Sequence, residues 1–102
     1  MYDFEPIRPE LEAVCRRYGV TRLSAFGSAL REDFDGDSDV DLLFDVPTTS
    51  AFGLFKHIEL RAEFESVLGR PIDLVAERAV NHSRNLVRKE SILSHTKLLY
   101  AV

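Results

Sequence analysis

Two aspartates, Asp39 and Asp41, stand at i and i+2 in the alternating run Asp39-Val-Asp-Leu-Leu-Phe-Asp-Val46. On a β-strand that spacing sends both carboxylates to one face, where two ionised groups held together repel each other. A divalent cation removes the conflict, and hard oxygen ligands with room for water and phosphate suit Mg2+. Asp73, in Pro71-Ile-Asp-Leu-Val-Ala76, lies between apolar neighbours on what reads as another strand and is expected to project to the same face. Three carboxylates on two strands are the raw material of a two-metal phosphoryl-transfer site, with ions roughly 3.5–4 Å apart. Upstream, Gly27-Ser28 closes a short apolar run ending at Phe26. Gly27 allows close backbone approach, Ser28 adds a hydroxyl donor, and the next residues open a short helix whose free N–H groups favour an anion. The Gly-x-x-x-x-Gly-Lys-Ser/Thr signature of a P-loop ATPase is absent, so the outline is that of a nucleotide site of another kind.

These residues need a sheet to hold them. Thr21–Phe26 reads as a first strand and Asp39–Val46 as a second. In the second, Val40, Leu42, Phe44 and Val46 point to one face, and Asp39, Asp41, Leu43 and Asp45 to the other. Pro47 stops it, because a proline cannot donate to a ladder. Pro71–Ala76 is a third strand, and Leu98–Val102 is expected to close the sheet. Pro9 opens a helix in which Ile7, Leu11, Val14 and Tyr18 recur at helical spacing, with Gly19 as its stop. Thr48–Ser50 offer N-caps for a helix reaching Leu68, with Leu60, Phe64, Val67 and Leu68 on one stripe and Gly69 beyond it. A further helix is expected over Ser83–Leu93. Strands separated by helices give an α/β (α+β) fold, a small mixed sheet flanked by helices.

The chain has 102 residues, 45% of them apolar and 29% charged, which fits one globular domain over 1–102 and leaves no space for a second. No apolar run approaches 18 residues and no secretory start is evident, so a membrane span is not expected. A lone cysteine, Cys15, excludes an internal disulfide framework and a multi-cysteine zinc site; it fits a reducing cytoplasm and a small core position. The net charge of −4 argues against a general nucleic-acid binder. That average hides a division: Glu32–Asp45 carries seven acids and no base, while Arg84, Arg88, Lys89 and Lys97 cluster near the end.

Simpler readings apply to several of these features. Asp33, Asp35 and Asp37 belong to a solvated loop rather than an EF-hand, since counting from Asp33 puts Ser38 at position 6 and Phe44 at position 12. His57, His82 and His95 share no metal-like spacing and read as surface or helix residues. Arg31 reads as a surface or ion-pair residue rather than a phosphate contact, and Arg84, Arg88 and Lys89 as a solvated helix face, with an acidic partner or RNA as the alternative.

The stretch Leu23-Ser-Ala-Phe-Gly-Ser, followed by Asp37-Ser-Asp-Val-Asp-Leu-Leu-Phe, resembles the polymerase-β-like nucleotidyltransferase superfamily. Gly69-Arg-Pro-Ile-Asp-Leu-Val, and then Leu98-Leu-Tyr, make it similar to the minimal nucleotidyltransferase (MNT) group, over about residues 10 to 100. The resemblance implies transfer of a nucleoside monophosphate from ATP, with Mg2+ and loss of pyrophosphate. In it Asp39 and Asp41 hold both metals, Asp73 completes the site and accepts the acceptor's proton, and Gly27 and Ser28 hold the triphosphate. Where many members carry Arg-Gly after the Gly-Ser turn, this chain has Arg31-Glu32. MNT proteins pair with HEPN-domain ribonuclease toxins, which implies a HEPN-type partner whose tyrosine receives AMP. The other readings are a non-catalytic antitoxin that acts by binding, and transfer to a small molecule or to RNA.

Overall fold

A computed structural model describes residues 2–32, 39–47, 51–81 and 95–102. A 3-10 turn at Glu5–Ile7 leads into helix α1, Arg8–Tyr18. Strand β1, Arg22–Phe26, is followed by a second 3-10 turn, Gly27–Leu30, and by strand β2, Val40–Asp45. Helix α2, Leu54–Leu68, crosses to strand β3, Ile72–Ala76; helix α3, Glu77–Asn81, follows directly, and strand β4 spans Thr96–Ala101. The strands lie in the order β3-β2-β1-β4. β1 is antiparallel to β2 and β4, while β2 and β3 are parallel, as a helical crossover between them requires. The expected mixed sheet with flanking helices is the fold observed.

Both long helices cover the same face. From α1, Leu11, Val14 and Cys15 enter the core; from α2, Leu60, Phe64 and Leu68 do so. They meet Leu23, Ala25, Val40, Leu42, Phe44, Ile72, Leu74 and Leu99 of the sheet. That apolar period of two on β2 and β3 fixes which side their aspartates take, because a one-residue slip would expose the whole inner row. On the opposite face a smaller cluster, Phe26, Leu43 and Val80, joins α3 to β1 and β2.

Gly19 and Gly69 end α1 and α2 in the left-handed region, at φ 73° and 69°, where glycine has no steric penalty. The start of α2 differs from expectation. Its N-cap is Gly53, in extended conformation and without a side-chain cap bond, and the helix begins at Leu54. Phe52 accounts for the delay: its ring packs on Phe44 at 5.3 Å between centroids, so the chain returns to the core before it coils. Thr48–Ser50 and the helix expected over Ser83–Leu93 fall outside the described residues, as do His82, Arg84, Arg88 and Lys89. The five-residue α3 has no forerunner in the sequence pattern; it is too short for an apolar period to announce it. β4 starts two residues earlier than the sequence suggests, and its register against β1 shifts between Leu23 and Ser24, which makes Leu99 a bulge. The Leu99 carbonyl accepts a 3.0 Å hydrogen bond from Arg8 Nη1 of α1, so its oxygen is not left without a partner.

Candidate active site

The parallel pairing of β2 and β3 sets Asp41 directly opposite Asp73. Strands neighbour one another at about 4.8 Å, so the two carboxylates leave adjacent backbones side by side. Val40, Leu42, Ile72 and Leu74 bury on the helix side, which turns both aspartates to the other face. Asp39 lies one residue ahead of β2 and one pleat from Asp41, about 7 Å along the chain. Asp39 and Asp73 are exposed and Asp41 is half-buried. The three expected ligands therefore share a face and a sheet end. Their side chains do not close on a point: among the described residues no three His, Cys, Asp or Glu groups already surround a metal position. What the backbone fixes is the row of acids.

Gly27 closes the third side. Phe26 pairs with Asp41 across the β1–β2 ladder, so the next residue turns beside that carboxylate. Gly27 adopts φ 64°, and a Cβ built on it would collide with Asp41 Oδ2 and sit 3.2 Å from Asp41 Cγ. Two independent demands, a left-handed backbone and the space taken by Asp41, select glycine here. The 3-10 turn begins at Gly27 and includes Ser28, so the backbone at both expected phosphate-binding residues borders the acids. Hard oxygen donors, the room that Gly27 leaves for the Asp41 carboxylate, and backbone N–H groups beside them suit Mg2+ with a triphosphate.

Further along the same face lie residues that sequence reasoning does not single out. Arg22 of β1 binds Glu77 of α3 through two nitrogens, Nε to Oε2 at 3.2 Å and Nη2 to Oε1 at 2.8 Å. That hydrogen bonding, together with the Glu77 charge, raises the Arg22 pKa above its ordinary value. Ser24, only 6% exposed, is the one polar residue among the buried side chains described. A serine in the middle of the apolar run Leu23–Phe26 is the one signal the sequence offers. His57, expected as a surface or helix residue, is partly enclosed: Nε2 lies 3.0 Å from the Leu74 carbonyl and the ring stands edge-on to Phe44. Arg31 and His95 are exposed. Cys15 is a buried core residue with its thiol pKa pushed up to about 12 by burial, which leaves it no nucleophilic part. No helix among the described residues is long and apolar enough to cross a membrane.

The nucleotidyltransferase domain family matches residues 9–99, and the chain belongs to that family. The protein adenylyltransferase MntA of Thermococcus cleftensis is 39% identical over 64 residues, 63% of this chain and 63% of that protein. The chain thus aligns with a little under two thirds of that relative. A solved structure named as a minimal nucleotidyltransferase superposes with a TM-score of 0.68 at 34% identity, covering 92% of this chain and 93% of the other. The complex of a tri-AMPylated Shewanella oneidensis HEPN toxin with an MNT antitoxin superposes at 0.66 with 18% identity, over 98% of this chain and 74% of the other. At that identity the likeness concerns the fold.

Proposed function

We propose that this member of the nucleotidyltransferase domain family transfers AMP from ATP to a tyrosine hydroxyl of a HEPN-type ribonuclease toxin, and so acts as its antitoxin. The observation that carries the reading is the row made by Asp41 opposite Asp73, with Gly27 turned against Asp41. Its support among relatives is the Thermococcus adenylyltransferase and the AMPylated toxin held by an antitoxin of the same fold.

Asp39, Asp41 and Asp73 are the residues to hold Mg2+, two ions in the usual arrangement of such sites. When bound, the metal neutralises the triphosphate and polarises the α-phosphorus. The remaining chemistry belongs to the chain. Backbone N–H groups from Gly27 onward, with the Ser28 hydroxyl, orient the β- and γ-phosphates. Asp73, on the edge strand β3 and exposed, faces an incoming hydroxyl and takes its proton. The hydroxyl oxygen bonds to the α-phosphorus, the bond to the β-phosphate breaks, and pyrophosphate leaves with the electron pair.

The test is to incubate the protein with α-labelled ATP, Mg2+ and its HEPN-type partner toxin. Label is expected on a toxin tyrosine, and the toxin's ribonuclease activity should fall. A folded, ATP-binding preparation that leaves the toxin unlabelled refutes transfer. An Asp39→Asn, Asp41→Asn double variant that still protects against the toxin assigns neutralisation to binding alone.

A further inference from the structure

Helix α2 carries a second apolar face that the core does not use. Leu60, Phe64 and Leu68 point inward, while Leu54, Phe55 and Ile58 are 74%, 82% and 55% exposed. Along the outer side Phe55, Ile58, Ala62, Ser66 and Gly69 follow one another at steps of three or four residues, so they form one exposed row. We propose that this row is a dimerisation surface, on which α2 of a second copy packs antiparallel about a two-fold axis at Ala62.

The row is complementary to its own reverse, which is what selects a second copy as the occupant. Phe55 and Gly69 stand seven residues on either side of Ala62, and Ile58 and Ser66 stand four. The bulky half precedes Ala62 and the small half follows it. A two-fold axis at Ala62 therefore sets Phe55 over Gly69 of the second copy and Ile58 over its Ser66, with Ala62 on Ala62. A Cβ at Gly69 would meet nothing within 4 Å, so the space above it is open to a ring. Alanine at the centre lets the helix axes approach to about 8 Å. Parallel pairing would instead put Phe55 on Phe55 at one end and leave a gap at Gly69 at the other.

Charge on the flanks agrees with that pairing, since a two-fold axis brings like flank against like flank. On the flank toward α1, Arg17 holds Glu63 at 3.0 Å; Lys56 stands there with Glu59, so acids and bases balance. On the other flank Arg61 and Glu65 lie 3.8 Å apart and are 55% and 32% exposed. Reversing the second helix brings each Arg61 beside Glu65 of the other copy, which turns two loose pairs into a ring of four alternating charges. Leu54, Phe55 and Ile58 expose on the order of 400 Å² of apolar surface, the size of a patch that marks an interaction site. With the rest of the row, two copies would bury about 1,200 Å², the lower end of specific interfaces. Such an area suits a Kd on the order of 10 µM. α2 covers the sheet face opposite the acid row, so the dimer leaves both acid rows open, and the inference stands whatever reaction they perform.

Sedimentation velocity on the full chain, over concentrations that span that Kd, should show the 11.6 kDa monomer giving way to twice its mass. Phe55→Asp and Ile58→Glu, both at exposed positions, should keep the wild-type circular dichroism and weaken the dimer about 30-fold or more. Orientation is read by cross-linking with oxidised glutathione. Ala62→Cys should join to itself, and Ile58→Cys should join to Ser66→Cys when the two proteins are mixed, because those positions come within disulfide reach only in the antiparallel pair. Cys15 is buried and does not compete. A wild-type chain that stays monomeric throughout overturns the proposal, and so does a dimer that both charged variants leave intact. Ile58→Cys joining to itself and not to Ser66→Cys overturns the antiparallel arrangement. A monomeric chain whose binding to the toxin is lost in Phe55→Asp gives this face to the toxin and likewise overturns the second copy.

Discussion

Substituting Gly27 by alanine separates backbone strain from loss of the site, because the protein supplies its own controls. Gly19, Gly27 and Gly69 all have positive φ, at 73°, 64° and 69°. A Cβ at Gly19 or Gly69 meets nothing within 4 Å, whereas one at Gly27 meets the Asp41 side chain. Each alanine therefore pays the left-handed penalty of about 1–2 kcal/mol, and only Gly27→Ala adds a collision. The atom struck is the end of a side chain that turns about its own bonds, so the collision is relieved by rotating the Asp41 carboxylate away. Stability should fall by about the same 1–2 kcal/mol in all three variants by urea unfolding. Binding should not. Gly27→Ala should lose about tenfold or more in affinity for Mg2+ with α,β-methylene-ATP, which is about 1.4 kcal/mol, while Gly19→Ala and Gly69→Ala remain at wild type. A Gly27→Ala protein that binds the analogue normally would refute the claim that this glycine makes room for a ligand-bearing Asp41. A Gly27→Ala loss of several kcal/mol more than the controls would show that Asp41 is held rigidly instead.

Asp73→Asn should reduce AMP transfer by about 100-fold or more while changing stability by under about 0.5 kcal/mol; Asp73 is exposed and without a partner among the described residues, so a large loss of stability would mark it as structural. Phe64→Ala removes a fully buried ring between α2 and the sheet, and chemical denaturation should show a loss of about 3–5 kcal/mol. Cys15 makes stability depend on alkaline pH. An unfolded thiol titrates near 9.0 and the folded one near 12, so between those values the unfolded chain binds fewer protons and stability falls as pH rises. That contribution is intact below pH 9 and declines toward a loss of about 4 kcal/mol at pH 12. Cys15→Ala should flatten the slope between pH 9 and 11, and native protein at pH 8 should react with a thiol reagent only as fast as it opens; prompt labelling would contradict the buried placement.

Much of the fold is legible in the sequence because its signals are local. Alternation along Asp39–Val46 is enough to assign both faces of β2, and the same period in Pro71–Ala76 puts Asp73 on the side of Asp41. Neither period contains the register between strands. That Asp41 lies opposite Asp73, and not opposite a neighbour, follows from how α2 crosses between β2 and β3, which is a tertiary fact. Gly27 reads as a turn that admits a phosphate, but its contact with Asp41, fourteen residues on, depends on the β1–β2 pairing. Arg22 and Glu77 are 55 residues apart and look like two ordinary surface charges in the sequence. The start of α2 departs from its local signals for a related reason. Three good capping residues precede Ala51, yet the packing of Phe52 on Phe44 outweighs the local preference and moves the N-cap to Gly53.

The distribution of cover over the sheet argues for where the acceptor comes from. α1 and α2 both pack on the face bearing Val40, Leu42 and Phe44, and of the described elements only the five-residue α3 lies on the other. The acid row sits at the end of that second face, with Asp39 and Asp73 exposed. Phosphoryl transfer requires its charged groups to work away from bulk water, where their interactions are weakened several-fold. The described residues supply the floor of such a site, with the acids and the Gly27 turn, but not its roof. A macromolecular acceptor can provide the roof and the reacting hydroxyl in one step. Under the proposed function, toxin binding and catalysis would be coupled: metal and nucleotide should bind the free protein weakly, and tighten when a partner whose tyrosine has been replaced by phenylalanine closes over them. If nucleotide affinity is the same with and without that partner, the open face is no part of the mechanism, and the roof must be sought within the chain.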